Sequence, residues 1–171
     1  MELNKIQELL QSKFGGAILE TAKEGWVKIV RESLLAIVQF LKTEPELGFD
    51  FLHCITGVDL GGGTLQCVYT LTSTTQKHWL SLKVEVKADD PHIPTLCHLW
   101  PTANWHEREA FDLFGLSFTG HPNLKRILCH EDWVGHPLRK DYEFPKTFEG
   151  IPGDVLQEEE DTPMPRTSKK G

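Results

Sequence analysis

Four cysteines, eight histidines and a charged, aromatic stretch around residue 107 are the groups in this 171-residue chain that could do chemistry. Cys54, Cys67, Cys97 and Cys129 are too far apart for a C-x-x-C element, so a cluster or zinc site made from them alone is not expected. His106-Glu107-Arg108-Glu109-Ala110 begins like a zinc-protease helix, but that chemistry needs a second imidazole four residues after the first, and Ala110 stands there. His121, Cys129, His130 and His136 match no common metal spacing and are expected to serve as hydrogen-bonding loop residues. Gly61-Gly62-Gly63 precedes a strand, where a phosphate cradle would open a helix, so it reads as a turn. A G-x-S-x-G nucleophile elbow is absent. No active site assembles from these motifs.

The stretch Glu107, Arg108, Glu109, Asp112 is different, because four charges share barely two helical turns with Trp105, Phe111 and Phe114. Arg108 and Asp112 are spaced i,i+4, worth a few tenths of a kcal/mol on an exposed helix. A helix this aromatic is expected to be buried, and buried charges need fixed partners. Arg126, Arg139 and Lys140 are the candidates, which predicts an internal salt-bridge network tying the following segment to the helix. Structural scaffold and partner surface both remain open at this point.

The elements that would position this cluster follow from periodicity. Ile6, Leu9, Leu10 and Phe14 share a helical face over residues 3–14, and Gly15-Gly16 ends it. Strands at 17–19 and 26–30, a helix carrying Leu34, Ile37, Val38 and Leu41 up to Pro45, and an antiparallel meander over 49–60, 65–71 and 80–86 come next. A hairpin centred on Gly62 sets Cys54 opposite Thr70 and Cys67 opposite Gly57, so these thiols stay reduced. A short helix is expected at 95–99, then a main helix at 105–114 with Asn104 and Glu107 as a capping box and Gly115 as the left-handed stop. The fold class is α+β: a two-layer domain, mainly antiparallel sheet with helices on one face, followed by an irregular segment from Gly120 to Tyr142. One domain over 1–145 and an acidic, Pro-containing, flexible tail over 146–171 are expected. With 18 basic and 25 acidic residues the net charge is −7. Within 121–140, four basic against two acidic residues give +2, which argues against a nucleic-acid binder. The absence of a long apolar run or a basic-then-apolar start predicts a cytoplasmic location.

Glu107-Arg108-Glu109-Ala110-Phe111-Asp112-Leu113-Phe114-Gly115, then Phe118 and His121-Pro122-Asn123-Leu124-Lys125-Arg126-Ile127-Leu128, then Trp133-Val134-Gly135-His136-Pro137-Leu138-Arg139-Lys140-Asp141-Tyr142, closely resemble the thirty-kilodalton subunit family of respiratory complex I, the NADH-quinone oxidoreductase. Phe49-Asp50 and Ile55-Thr56-Gly57-Val58-Asp59 are similar to an earlier sheet segment of that family, so the resemblance covers roughly residues 15–145. It implies a peripheral-arm subunit without catalytic residues, metal or cofactor of its own. Such a subunit docks on the hydrogenase-like large subunit of the quinone site and on neighbouring iron–sulfur subunits, while FMN and iron–sulfur clusters in the partners carry electrons from NADH to quinone. It also implies a peripheral position on the cytoplasmic side of the inner membrane. Glu107, Arg108, Glu109, Asp112, His121, Lys125, Arg126, Arg139, Lys140 and Asp141 are the motif residues expected to act in structure or interface. Many relatives carry a longer arm after Tyr142 where this chain has an acidic tail. Related subunits of ferredoxin- or F420-linked reductases and membrane-bound [NiFe] hydrogenases are the alternative within the class, and a stand-alone binding module is the alternative outside it.

Overall fold

The structure, a computed structural model, describes residues 3–148 and 151–152. Helix α1 (Leu3–Phe14) buries Ile6 and Leu10 completely. The chain then turns into β1 (Ile18–Ala22) and, past Gly25 at φ +93°, into β2 (Trp26–Ile29). Helix α2 (Leu34–Thr43) buries Leu34, Ile37, Val38 and Leu41. It stops because Glu44, the residue before Pro45, takes an extended conformation (ψ 118°), as steric conflict with the proline ring demands.

The meander follows as β3 (Phe51–Gly61), β4 (Thr64–Ser73) and β5 (His78–Lys87), giving the sheet order β1-β2-β5-β4-β3. Neighbouring strands pair antiparallel except β2 and β5, which run in parallel. The reason is topological: α2 carries the chain back between β2 and β3, and two hairpin reversals then bring β5 beside β2 in the same direction. Cys54 faces Thr70 and Cys67 faces Gly57, as the centred hairpin requires. All four cysteines are free. Register shifts occur at both ends of β3, where Asp59 Oδ1 accepts the Gly61 amide at 2.7 Å and Gly61, Gly62 and Gly63 all have positive φ. Side chains alternate along β4 and β5, and the buried set (Leu65, Cys67, Tyr69, Leu71, Leu80, Leu82, Val84, Val86) forms the core with Val27 and Ile29.

Residues 92–119 form a second parallel unit: β6 (His92–Pro94), α3 (Ala103–Phe114) and β7 (Ser117–Thr119), with β6 and β7 paired. No helix forms at 95–99; residues 97–99 make a single turn, and Lys42 Nζ donates to the Leu99 carbonyl. Helix α3 starts at Ala103, so Asn104 lies inside it instead of capping it, and no side-chain cap forms. Gly115 does end the helix in the left-handed conformation, at φ +74°. The helix lies against β3, where Gly57 admits it: a Cβ there would sit 2.4 Å from the Phe114 ring. Of the expected tail, Thr147–Phe148 and Ile151–Pro152 pair as a two-residue ladder, β8 and β9, while residues 149–150 and 153–171 lie outside the described set. Among the described residues no helix is long and apolar enough to cross a membrane.

Candidate functional site

Helix α3 inverts the expected arrangement of its faces. Trp105 is 63% exposed and Phe111 and Phe114 are half-buried, whereas Glu107 and Asp112 have no exposed surface at all. Ala103, Glu107 and Ala110 recur at helical spacing as a stripe of buried positions, so the carboxylate rides on the small-residue face that packs inward. Five residues separate Glu107 from Asp112, about 140° around a helix. They therefore serve different neighbours, one before the helix in sequence and one after it.

Glu107 joins α3 to the turn that follows β6. Its Oε1 accepts the Leu96 amide at 2.7 Å, and its Oε2 accepts the Thr95 hydroxyl at 2.6 Å and the Cys97 thiol at 3.5 Å. His121 Nε2 lies 4.0 Å from Oε2. The Asn123 amide donates to His121 Nδ1 at 3.0 Å, so the ring proton sits on Nε2, which donates to the Asn104 carbonyl at 3.2 Å. Burial raises the Glu107 carboxyl above the usual range, against the opposing effect of its donors. Burial likewise pushes the Cys97 thiol up to about 11.

Asp112 organises the segment after β7. Its Oδ2 accepts the amides of Ile127 (3.0 Å), Leu128 (2.7 Å) and Cys129 (2.9 Å), and its Oδ1 pairs with Arg126 at 2.6 Å. Burial alone would raise this carboxyl, but the three amides and the guanidinium together bring it down to about 2. The last carbonyls of α3, which have no partners within the helix, are answered by the same segment. Arg126 and His136 donate to Asp112 O, the Leu138 amide to Leu113 O, and Arg139 to Phe114 O at 2.7 Å. Two guanidinium groups thus stand at the negative end of the helix dipole. Arg126 also bonds the Gly135 carbonyl, and the Lys140 amide bonds Asp59 Oδ2 at 2.7 Å, which ties the segment to the β3 bulge.

The expected salt-bridge network is therefore present in part and rewired. Asp112 pairs with Arg126 and not with Arg108, because it points inward. Arg108 donates instead to the carbonyls of Lys125 and Arg126 and lies 5.0 Å from the centre of the Trp105 ring. Lys140 contributes its amide, and Lys125 its carbonyl. Glu109 and Asp141 are exposed. His121, Cys129, His130 and His136 do not come together; the group that does is Cys97, Glu107 and His121, with donor atoms within 4.8 Å of one another. Sequence reasoning gave Thr95 no role, weighed Cys97 only as one of four widely spaced cysteines and placed Asp59 only in the family-like sheet segment; the Ala103, Glu107, Ala110 stripe was the one local signal that Glu107 faces inward.

Fixed by these bonds, the irregular segment turns apolar side chains outward: Leu128 is 62% exposed, Val134 82%, Leu138 52% and Phe144 66%. The family described as "Respiratory-chain NADH dehydrogenase, 30 Kd subunit" matches residues 27–148, which contain Glu107, Asp112 and the partners of both. The chain is 40% identical over 148 residues to a subunit of the NADH-quinone oxidoreductase of Chloroherpeton thalassium, covering 84% of this chain and 62% of that protein. It is 45% identical over 141 residues to the corresponding NADH-quinone oxidoreductase subunit of Roseiflexus sp., covering 80% and 81%. In structure it resembles a trypsin-resistant fragment (1-134) of Nqo5, with a TM-score of 0.62 and 33% identity over 72% of this chain and all of the fragment. It shares its fold, at 22% identity and a TM-score of 0.69 over 82% of this chain and 85% of the other, with a chain of an archaeal membrane-bound sulfane sulfur reductase.

Proposed function

The chain belongs to the respiratory-chain NADH dehydrogenase 30 kDa subunit family, and from that premise we propose that it is a structural subunit of an NADH-quinone oxidoreductase, bracing the large subunit at the quinone site. The observation that carries this reading is the segment 126–140. An irregular backbone is held by buried or half-buried charged side chains on α3 and in the segment itself, and the residues so held present apolar surface to the outside. A solitary protein gains nothing from that combination, whereas a docking face needs both rigidity and exposed apolar anchors. In this reading the chain carries no flavin, nicotinamide or iron–sulfur cluster. FMN and the clusters belong to partner subunits, and the complex sits at the cytoplasmic face of the membrane. Its contribution is mechanical: it keeps the terminal cluster and the quinone headgroup at a fixed separation and orientation while electrons pass.

Affinity purification of the full chain from its native membrane tests this. Co-purification of flavin- and iron–sulfur-containing partners with NADH-driven quinone reduction is the expected result. Oxidation of reduced ferredoxin or F420 in place of NADH would move the chain to the related reductases, and recovery of the chain alone would favour a stand-alone binding module. The isolated chain should be colourless; a flavin or iron–sulfur absorption band would overturn the assignment of the redox groups to its partners.

A further inference from the structure

Glu107 is a fully buried carboxylate whose donors, a hydroxyl, an amide and a thiol, are all uncharged. Asp112, by contrast, has the guanidinium of Arg126. Within 4.0 Å of Glu107 the only basic group among the described residues is His121, whose Nε2–H is directed to the Asn104 carbonyl. A buried carboxylate without a cation is costly, and the surroundings of this one hold further metal-ligand atoms. Cys97 Sγ stands 3.5 Å and His121 Nε2 4.0 Å from Glu107 Oε2, and the three donor atoms fit within 4.8 Å. Tetrahedral zinc, with bonds of about 2.0–2.3 Å, sets neighbouring donor atoms about 3.3–3.5 Å apart. The sulfur and carboxylate oxygen already have that spacing, and the imidazole needs to approach the carboxylate oxygen by roughly half an ångström and the sulfur by up to about 1.3 Å.

We propose that Cys97, Glu107 and His121 form a binding site for a zinc-like divalent ion, with water in the fourth position. The mixed sulfur, nitrogen and oxygen donors select a borderline-soft ion; calcium and magnesium take oxygen ligands. Cys97 is partly exposed, which provides the way in, while the other two side chains are buried. The Leu96 amide stays on Oε1 and the Thr95 hydroxyl beside it, holding the carboxylate in place. The protons balance simply. The thiol proton leaves to solvent, and the imidazole proton moves from Nε2 to Nδ1, which frees the amide of exposed Asn123 to bond water. With Glu107 ionised, one proton is released per ion. The bound ion would stitch the turn after β6, helix α3 and the loop at His121 that leads into the docking segment into one unit, in a redox-inert manner compatible with the proposed mechanical role.

The test uses the full chain stripped of metal with a chelator and titrated with cobalt as a spectroscopic stand-in, then with zinc. Expected are one cobalt per chain, the near-ultraviolet thiolate-to-cobalt band and visible bands of tetrahedral cobalt, their displacement by zinc, and a melting temperature that rises with zinc concentration. Cys97→Ser should lose the thiolate band and weaken zinc binding by about tenfold or more, while Cys129→Ser leaves both unchanged. An absent thiolate band, or one that survives Cys97→Ser, overturns the site. Should Cys97→Ser fail to fold, alkylation of the unmutated chain decides: zinc should shield Cys97 while Cys54 and Cys129 still react, and unshielded Cys97 refutes the proposal.

Discussion

At the scale of single residues, the two buried carboxylates of α3 oppose each other in their response to pH. The folded state holds Asp112 at about 2, below an unfolded value of about 3.9. The stability it contributes is thus complete only above about pH 5, is on the order of 2–3 kcal/mol, and is lost as pH falls from there through about 2. Glu107 has the other sign, since its raised carboxyl favours the protonated form on folding and its burial costs stability as pH rises above about 4.3. Acid unfolding monitored by circular dichroism should show that Asp112→Asn flattens the slope between pH 4 and 2. At neutral pH the same variant should cost about 3–5 kcal/mol, because the one remaining oxygen can stay with the three amides only if the new NH2 donor faces Arg126, which then lacks its charged partner. In metal-free buffer, Glu107→Gln should remove the loss on the alkaline side. Arg108→Ala is a control with a smaller effect, about 1 kcal/mol in chemical denaturation, since the carbonyls it releases lie where water can reach them. A loss of about 3 kcal/mol would require the buried carboxylate contact that the structure gives to Arg126 instead.

At the scale of elements, α3 is a joint between the sheet and the docking segment, and two glycines set its clearances. Gly57 lets Phe114 touch β3, so Gly57→Ala should cost about 1–3 kcal/mol by overpacking. Gly115 is constrained twice: it has positive φ, and a Cβ would come within 2.6 Å of His136 and Arg139. Gly115→Ala should therefore loosen residues 135–140 from the helix end more than it weakens the sheet. Hydrogen exchange should read this as faster exchange at the Leu138 amide, which bonds Leu113 O, with little change at the β4–β5 ladder. Uniform acceleration across the chain would show that the joint and the sheet unfold as one unit.

At the scale of the whole molecule, rigidity and exposure are divided between different residues of one segment. Arg126, Arg139 and the Lys140 amide fasten it. Leu128 and Val134 are turned away from the fold. Substitution of both with serine should leave the unfolding free energy within about 0.5 kcal/mol of the unmutated chain, as is usual for exposed positions. Recovery of the partner subunits on affinity purification should fall steeply. Intact assembly with the double variant would place the docking face elsewhere on the molecule.

Local pattern was enough for α1, α2, the three-stranded meander and the central register of its first hairpin, because the period of apolar residues and the turn glycines act within a few residues of themselves. The motif from Glu107 to Tyr142 was likewise enough for the family. Local pattern misassigned what depends on partners distant in sequence. The residues around Thr95 look helical on their own, yet the Thr95 and Leu96 donors are taken by a carboxylate eleven or twelve residues on. Glu107 has capping-box spacing and Asp112 has ion-pair spacing with Arg108, but helix rotation turns both inward, where burial makes the choice of partner far more consequential than on a surface. The expectation that aromatic bulk means burial failed for Trp105 because the inward stripe of α3 was filled by alanines and the carboxylate between them. Only the folded chain decides which face of a helix meets the sheet, since that depends on clearance at residues such as Gly57, opposite Phe114 and more than fifty positions away in sequence.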